Sequence, residues 1–353
     1  MMSKPTENAL SSWMIDGSAW QDVIMACRIR LARNLDDLPF PNIAKPDEKI
    51  ELVSRVENLL PELIKRSQKS WQLISLADLS KEECGILIDK HLISRQFAQN
   101  PRWSSLLISE DEAVSIMLNE EDHIRLQALY PGQQLRDALQ IANDVDDILE
   151  EYLPYAYDAQ LGYLTACPTN VGTGLRASVM VHLPALVISR KISRVVTAVN
   201  EMGLVVRGLY GEGSDGIGQI YQISNQVTLG SSESEVIESL QGIAKQIVEE
   251  ERNTRRMLYN NKEMELLDRI GRSVGTLSNA RMINSSEAVQ LLSDLRLGIN
   301  IQCLTGIDNQ TVNALLVKVQ TAWLRQHQED EAGTIAGFRA SILREALQGV
   351  KMG

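Results

Sequence analysis

The residues CPTNVGTGLRASVMVHLP, at positions 167–184, constrain this chain more than any other stretch. They join an apolar, strand-like run at 162–166 to a β-branched run bearing Arg176, through a loop that carries Gly172 and Gly174. Glycines let backbone N–H groups approach an anion, and an arginine adds a fixed charge with a fork of donors, so the stretch reads as a phosphate-binding turn between two strands. An ordinary Gly-containing turn would look the same in isolation. Four other segments weigh on the choice.

The first is DVIMACRIRLARN at 22–34. If 23–31 is a strand, its period of two puts Arg28 and Arg30 on one face and Ile29 and Leu31 on the other, and two guanidinium forks side by side make a phosphate clamp. A solvated edge strand is the bland alternative. The second is a helix opened by the capping box at Ser80 and Glu83 and running to about residue 92, with His91 near its end. A lone histidine is more often a packed residue than a ligand, although here it could reach a phosphate. The third, NEEDHIR at 119–125, crowds ionisable groups at the end of an apolar run, an arrangement that is costly unless a cation or a reaction needs it. The fourth contains a literal G-x-G-x-x-G at 211–216. That pattern is not a dinucleotide fingerprint, because 217–224 alternates like a strand where a helix is required. A flexible Gly-rich loop with one carboxylate, Glu212, is what remains.

The 353 residues carry a net charge of −11, which argues against bulk binding to nucleic acid and makes these arginines a local positive focus. No run of about 18 apolar residues occurs, and the polar start MMSKPTENALSSW has no signal-peptide core, so a cytoplasmic location is expected. The four dispersed cysteines suggest neither a zinc site nor a disulfide framework.

The rest of the chain is scaffold. Helical spacing predicts a helix over 46–66, kinked or broken at Pro61, and others over 134–152 and 185–202, with strands near 71–76, 106–108 and 113–118. Beyond residue 231 strand signals vanish, and helices are expected over 234–259, 263–274, 286–297, 310–326 and 335–348. The expected fold class is α+β: an antiparallel-rich sheet flanked by helices over 1–258, then an all-helical domain over 259–353. Leu315, Val319 and Ala322 form an apolar stripe suited to a homodimer, or to the core.

CRIRLARN, the helix with His91, NEEDHIR, CPTNVGTGLRAS and the RG-x-x-GE loop, in that order, resemble the ATP:guanido phosphotransferases, the family of creatine and arginine kinases. The appended helical domain resembles that of the bacterial protein-arginine kinases. The resemblance implies ATP, with Mg2+ riding on it and Glu120 as a candidate contact, but no dedicated protein metal cage. It places the nucleotide at Cys27, Arg28, Ile29, Arg30 and Leu31; at His91 and Arg125; at Arg176, Ala177, Ser178, Val179 and Met180; and at Arg207, Gly208, Leu209, Tyr210 and Gly211. It makes Glu121 and Glu212 the carboxylates that hold the acceptor guanidinium, with Cys167 as a thiol beside it. A guanidinium is a poor nucleophile until a proton is drawn off, which carboxylates can accomplish through charge-assisted hydrogen bonds.

Three departures matter. Cys27 stands where Ser is usual, which implies a changed hydrogen bond to a phosphate, and Met180 stands where phosphagen kinases have His. The R-D-x-x-R-A phosphoarginine pocket of the protein-arginine kinases is reduced at 335–340 to a final Arg339-Ala340, so weak or absent phosphoarginine feedback is expected. The implied function is transfer of the ATP γ-phosphate to exposed arginines of protein substrates. The implied partners are an activator protein, a heat-shock repressor and a Clp ATPase-protease, with no membrane and no direct nucleic acid. A kinase for free arginine or another small guanidine, and a non-catalytic adaptor, are the alternatives.

Overall fold

The computed structural model describes residues 4–15, 17–209, 216–328 and 333–353. Its frame is one eight-stranded sheet in which every neighbouring pair is antiparallel. The strands are β1 (Ile24–Arg33), β2 (Trp71–Ser75), β3 (Ser105–Ser109), β4 (Val114–Leu118), β5 (Ile124–Pro131), β8 (Leu175–His182), β9 (Leu204–Gly208) and β10 (Ile220–Asn225). Their order across the sheet is β2-β3-β4-β5-β1-β8-β10-β9, so β1 lies at the centre between β5 and β8. A small hairpin, β6 (Tyr157–Asp158) with β7 (Gly162–Tyr163), precedes the loop that feeds β8.

Alternation decides which side chains go where. On one face, Ile29 and Leu31 of β1, Leu126 and Ala128 of β5, Ala177 and Val179 of β8 and Ile223 of β10 enter a single apolar core. Helices α1 (Pro46–Ser67), α4 (Leu135–Glu150) and α6 (Ile192–Glu201) and the first half of α7 (Glu233–Asn279) cover that face. The opposite face is covered only at its ends. Over β3 and β4, α2 (Lys81–Asp89) and α3 (Arg95–Gln99) enclose a small core of Leu87, Leu92, Phe97, Leu106 and Met117. At the other end, α8 (Ser285–Asn300), α9 (Asn309–Lys318), α10 (Thr321–His327) and α11 (Ile335–Ala346) share a core with Met25, Ala26, Leu129, Met180 and Ile220. A two-stranded ribbon, β11 (Leu304–Thr305) with β12 (Lys351–Met352), closes the helical end. Between these two covers lie Arg28 and Arg30 of β1, Arg125 of β5 and Arg176 of β8, each partly exposed.

The α+β architecture agrees with the sequence reading, and several element boundaries do not. Helix α1 runs unbroken through Pro61, which sits on its exposed side, where water can hydrate the carbonyl left without a donor. The helix expected over 185–202 is two, α5 (Pro184–Ile188) and α6, separated at Arg190, whose φ is 55°. The last of the strand-like run at 162–166 is irregular, and only Gly162 and Tyr163 pair. Residues 234–274 are one helical run, α7, interrupted at Lys262 (φ −144°, ψ 40°). Leu315 and Val319 are buried in the core and Ala322 packs on Gly85, so this stripe is not a dimer face. Ser80 and Glu83 do form the expected capping box.

Buried polar contacts fasten the helical end to the sheet. His182 of β8 bonds Ser293 of α8 at 2.7 Å, and Arg296 donates to Asn313 and to the Gln21 carbonyl, both at 2.9 Å. Glu251, fully buried on α7, accepts from the backbone N–H of Ala185 and Leu186 and pairs with Arg255 at 2.8 Å.

Candidate active site

Strand register brings the arginines together. Arg30 faces Arg176 directly across the β1–β8 pair, and Arg28 faces Ser178 two steps along. Arg125 of β5 pairs with Ala32, which has the same parity as Arg30. Arg207 of β9 faces Gln222 of β10, whose Oε1 accepts from Arg28 at 2.8 Å. Like charges directly opposite one another destabilise a sheet, so this row has a cost that an anion would remove.

The titration of these groups reflects that cost. Burial, and then the charges of Arg125 and Arg176, bring Arg28 down to about 10. Burial and the neighbouring Arg28, Arg125 and Arg176 push Arg30 well below the usual guanidinium range, and burial with Arg207 lowers Arg176. The Nε atoms of Arg30 and Arg176 are buried without a hydrogen-bond partner. Unpartnered donors on mutually repelling cations fit a polyphosphate, so the residues present suit a nucleotide.

Arg30, Arg125 and Arg176 line a cavity of about 90 Å³ together with Glu121, Cys167, Thr169 and Asn170. Burial raises the Glu121 carboxyl, and the adjacent Asp122 and Glu120 raise it further. Glu120 turns away from the cavity: it pairs with Arg125 at 2.5 Å and accepts from Ser94 at 2.6 Å, so it fixes Arg125 and has little left for a metal. Among the described residues no group of three or more His, Cys, Asp and Glu is arranged to hold a metal ion. The half-buried Cys167 sulfur lies 3.0 Å from the Thr169 hydroxyl.

The other expected nucleotide residues divide by parity. The side chains of Cys27, Ile29, Leu31, Ala177 and Val179 belong to the apolar core on the far face, so they frame the arginines. Burial pushes the Cys27 thiol up to about 12, and from that face it cannot make the phosphate hydrogen bond expected of it. Met180 and Leu209 pack into the core shared with the C-terminal helices. Ser178 is buried, with its hydroxyl 3.5 Å from the Arg28 carbonyl, and Gly208 pairs with Tyr221. His91 (φ 60°) ends α2; burial and the nearby Arg28 and Arg95 lower it to about 3, so it is neutral beside the arginines. Tyr210, Gly211 and Glu212 lie outside the described residues.

The glycines of the organising loop serve packing. A Cβ on Gly174 (φ 65°) would come within 2.6 Å of the Ala32 carbonyl, and one on Gly172 (φ 113°) within 2.6 Å of the Thr228 carbonyl. These close approaches press the loop onto β1 and onto 228, which sets the depth of Cys167.

Two supports escaped sequence reasoning. Asn34 donates to Asp122 at 2.6 Å and accepts from the His123 N–H at 2.9 Å, while Asp122 also accepts from the Ala166 N–H at 2.7 Å. One buried cluster thus ties the turn bearing Glu121 to the loop bearing Cys167. His123 accepts from the Leu35 N–H at Nδ1 and meets the Pro39 carbonyl through Nε2, a pattern that only the neutral ring satisfies; burial lowers it to about 4. The second support is Arg33, whose odd position turns it to the core side. It pairs with Asp146 at 2.7 Å, donates to the Thr173 carbonyl at 2.9 Å and lies 3.6 Å from the centre of the Tyr163 ring.

A family model described as ATP:guanido phosphotransferase, C-terminal catalytic domain, matches residues 51–254. The chain belongs to this family. A second model, described as the Protein-arginine kinase McsB C-terminal domain, matches residues 263–352. Relatives named "Protein-arginine kinase" include one from Bacillus subtilis (strain 168), 46% identical over 97% of this chain and 93% of the relative. Another, from Halalkalibacterium halodurans, is 45% identical over 96% of each. Among solved family folds, lombricine kinase superposes with a TM-score of 0.56 at 26% identity, covering 71% of both chains. A duplicated taurocyamine kinase from Schistosoma mansoni shares the fold alone, at 21% identity and a TM-score of 0.59 over 80% of this chain and 45% of that one.

Proposed function

We propose that this chain transfers the γ-phosphate of ATP to arginine side chains of proteins. The observation that carries the reading is the cavity in which Arg30, Arg125 and Arg176 face Glu121 and Cys167 from separate segments. Arg28, Arg30, Arg125, Arg176 and Arg207 would hold the triphosphate, with His91 neutral at the edge of the row, and ATP with its Mg2+ supplies the phosphoryl group. Fixed guanidiniums also meet the charge that spreads over transferring phosphoryl oxygens, the main source of catalysis in such reactions. Glu121, its carboxyl raised, hydrogen-bonds the acceptor guanidinium, aims it and takes up its proton. Cys167 lies against the same group, and by family resemblance Glu212 is the second carboxylate.

By the same resemblance the modification would mark proteins for a Clp-type protease during stress in the cytoplasm, with an activator and a heat-shock repressor as partners. No helix among the described residues is long and apolar enough to cross a membrane. The division near residue 258 would then be one of function alone, since α7 runs across it and the two parts share a core.

The test is Glu121→Gln, assayed with ATP and a protein mixture and read by phosphoarginine mass spectrometry under non-acidic conditions, alongside free arginine. Loss of about 10³-fold in protein phosphorylation is expected, with ATP binding retained. Unchanged activity would refute the role of Glu121, and labelling of free arginine alone would refute a protein acceptor.

A further inference from the structure

Glu121 lines two hollows. One is the arginine cavity; the other is a polar groove of about 720 Å³ whose wall runs from Asn42 and Lys49 past Gln99, Arg102 and Trp103 to Asn119. In-line transfer puts the acceptor nitrogen and the leaving oxygen on opposite sides of the phosphorus, so an acceptor facing the arginine cavity approaches Glu121 from the groove. We propose that this groove seats the acceptor polypeptide in extended form, and that Lys49 and Arg102 make arginines flanked by acidic residues the favoured targets. The proposal rests on the protein-arginine kinase reading and specifies its substrate.

Three observations carry it. Exposed amides at Asn42, Gln99 and Asn100 both donate and accept, which suits a peptide backbone of any sequence. Asn119, 5% exposed, uses both Nδ2 hydrogens on the carbonyls of Lys49 (3.0 Å) and Trp103 (2.8 Å), which leaves its Oδ1 without a donor. That oxygen is a buried acceptor left unpaired in a residue of the groove wall. Finally, Lys49 and Arg102 make no ion pair among the described residues; Arg102 lies over the Trp103 ring at 5.0 Å. Of the two carboxylates that share the groove, Glu120 is held by Arg125 and Glu121 faces the target guanidinium, so in a chain of net charge −11 these two cations are left to attract carboxylates on either side of the target.

The experiment compares wild type with the double variant Lys49→Glu, Arg102→Glu on three peptides. Each carries one arginine, flanked by acidic, neutral or basic residues, and kcat/KM is measured for P–N bond formation. An ATP-dependent rise in melting temperature verifies that the variant is folded. Wild type is expected to favour the acidic over the basic peptide about five- to tenfold, and the variant to lose or invert that order. The same preference in both proteins, or none in wild type, would overturn the proposal. If wild type phosphorylates none of the peptides, the arginine-kinase reading falls instead.

Discussion

Replacing Arg28 by Met should make the nucleotide-free protein more stable while crippling its use of ATP. The Arg28 guanidinium falls from an ordinary 12.5 to about 10, through burial first and then Arg125 and Arg176. At 1.36 kcal/mol per pH unit, holding it charged costs the empty site roughly 3 kcal/mol. Met keeps an unbranched apolar stem and sheds the charge. It forfeits the hydrogen bond to Gln222 at 2.8 Å, worth about 1 kcal/mol. The balance favours the variant by about 1–2 kcal/mol. With nucleotide that gain is offset or reversed, because a charge-assisted contact of roughly 1.5–3 kcal/mol is gone, or about 10- to 100-fold in affinity. Urea denaturation with and without ATP and Mg2+ reads both numbers. A variant less stable than wild type that binds ATP normally would refute the idea that these arginines form a strained anion site.

Three further outcomes are expected. Asp146→Ala leaves Arg33 buried and uncompensated and should destabilise by about 3–5 kcal/mol in denaturant melts, with Cys167 alkylated faster as the 173–174 loop loosens. His91 and His123 stay neutral when folded, with values near 3 and 4 against 6.5 when unfolded. Below pH 6.5 the unfolded chain therefore takes up protons that the folded one refuses, and stability falls down to about pH 4 for His123 and about pH 3 for His91; melts at pH 7 and 5 should differ by roughly 2 kcal/mol for each ring, and His123→Gln should shrink the difference. Free phosphoarginine should leave activity unchanged, since Arg339, 4% exposed, donates to the carbonyls of Val319 at 2.6 Å and Ile283 at 2.9 Å; activation at low concentration would contradict this.

What could be read from sequence was whatever a strand's alternation encodes. Arg28 and Arg30 share a face because they are two apart, and Arg125 and Arg176 follow the same rule on neighbouring strands. That rule also places Cys27 on the wrong side for a phosphate, which motif matching overlooked. The supports were hidden because their partners are remote: Arg33 finds Asp146 across 113 positions, and Asn34 finds Asp122 across 88. No local pattern announces such pairs. Helix limits failed where a single backbone angle decides them, as at Arg190, and where a proline on the wet side of α1 is tolerated.

Strand β8 bears Arg176 near one end and Met180 four residues on, about 14 Å away, inside the core of the C-terminal helices. The phosphate end and the helical end are thus two stations on a single taut ribbon. Trimming the helices would bare Met25, Ala26 and Ile220 to water and slacken the strands that hold the cations in line. The C-terminal helices therefore act as a keystone of the catalytic sheet, and a shortened protein without them would lose its nucleotide grip along with its solubility.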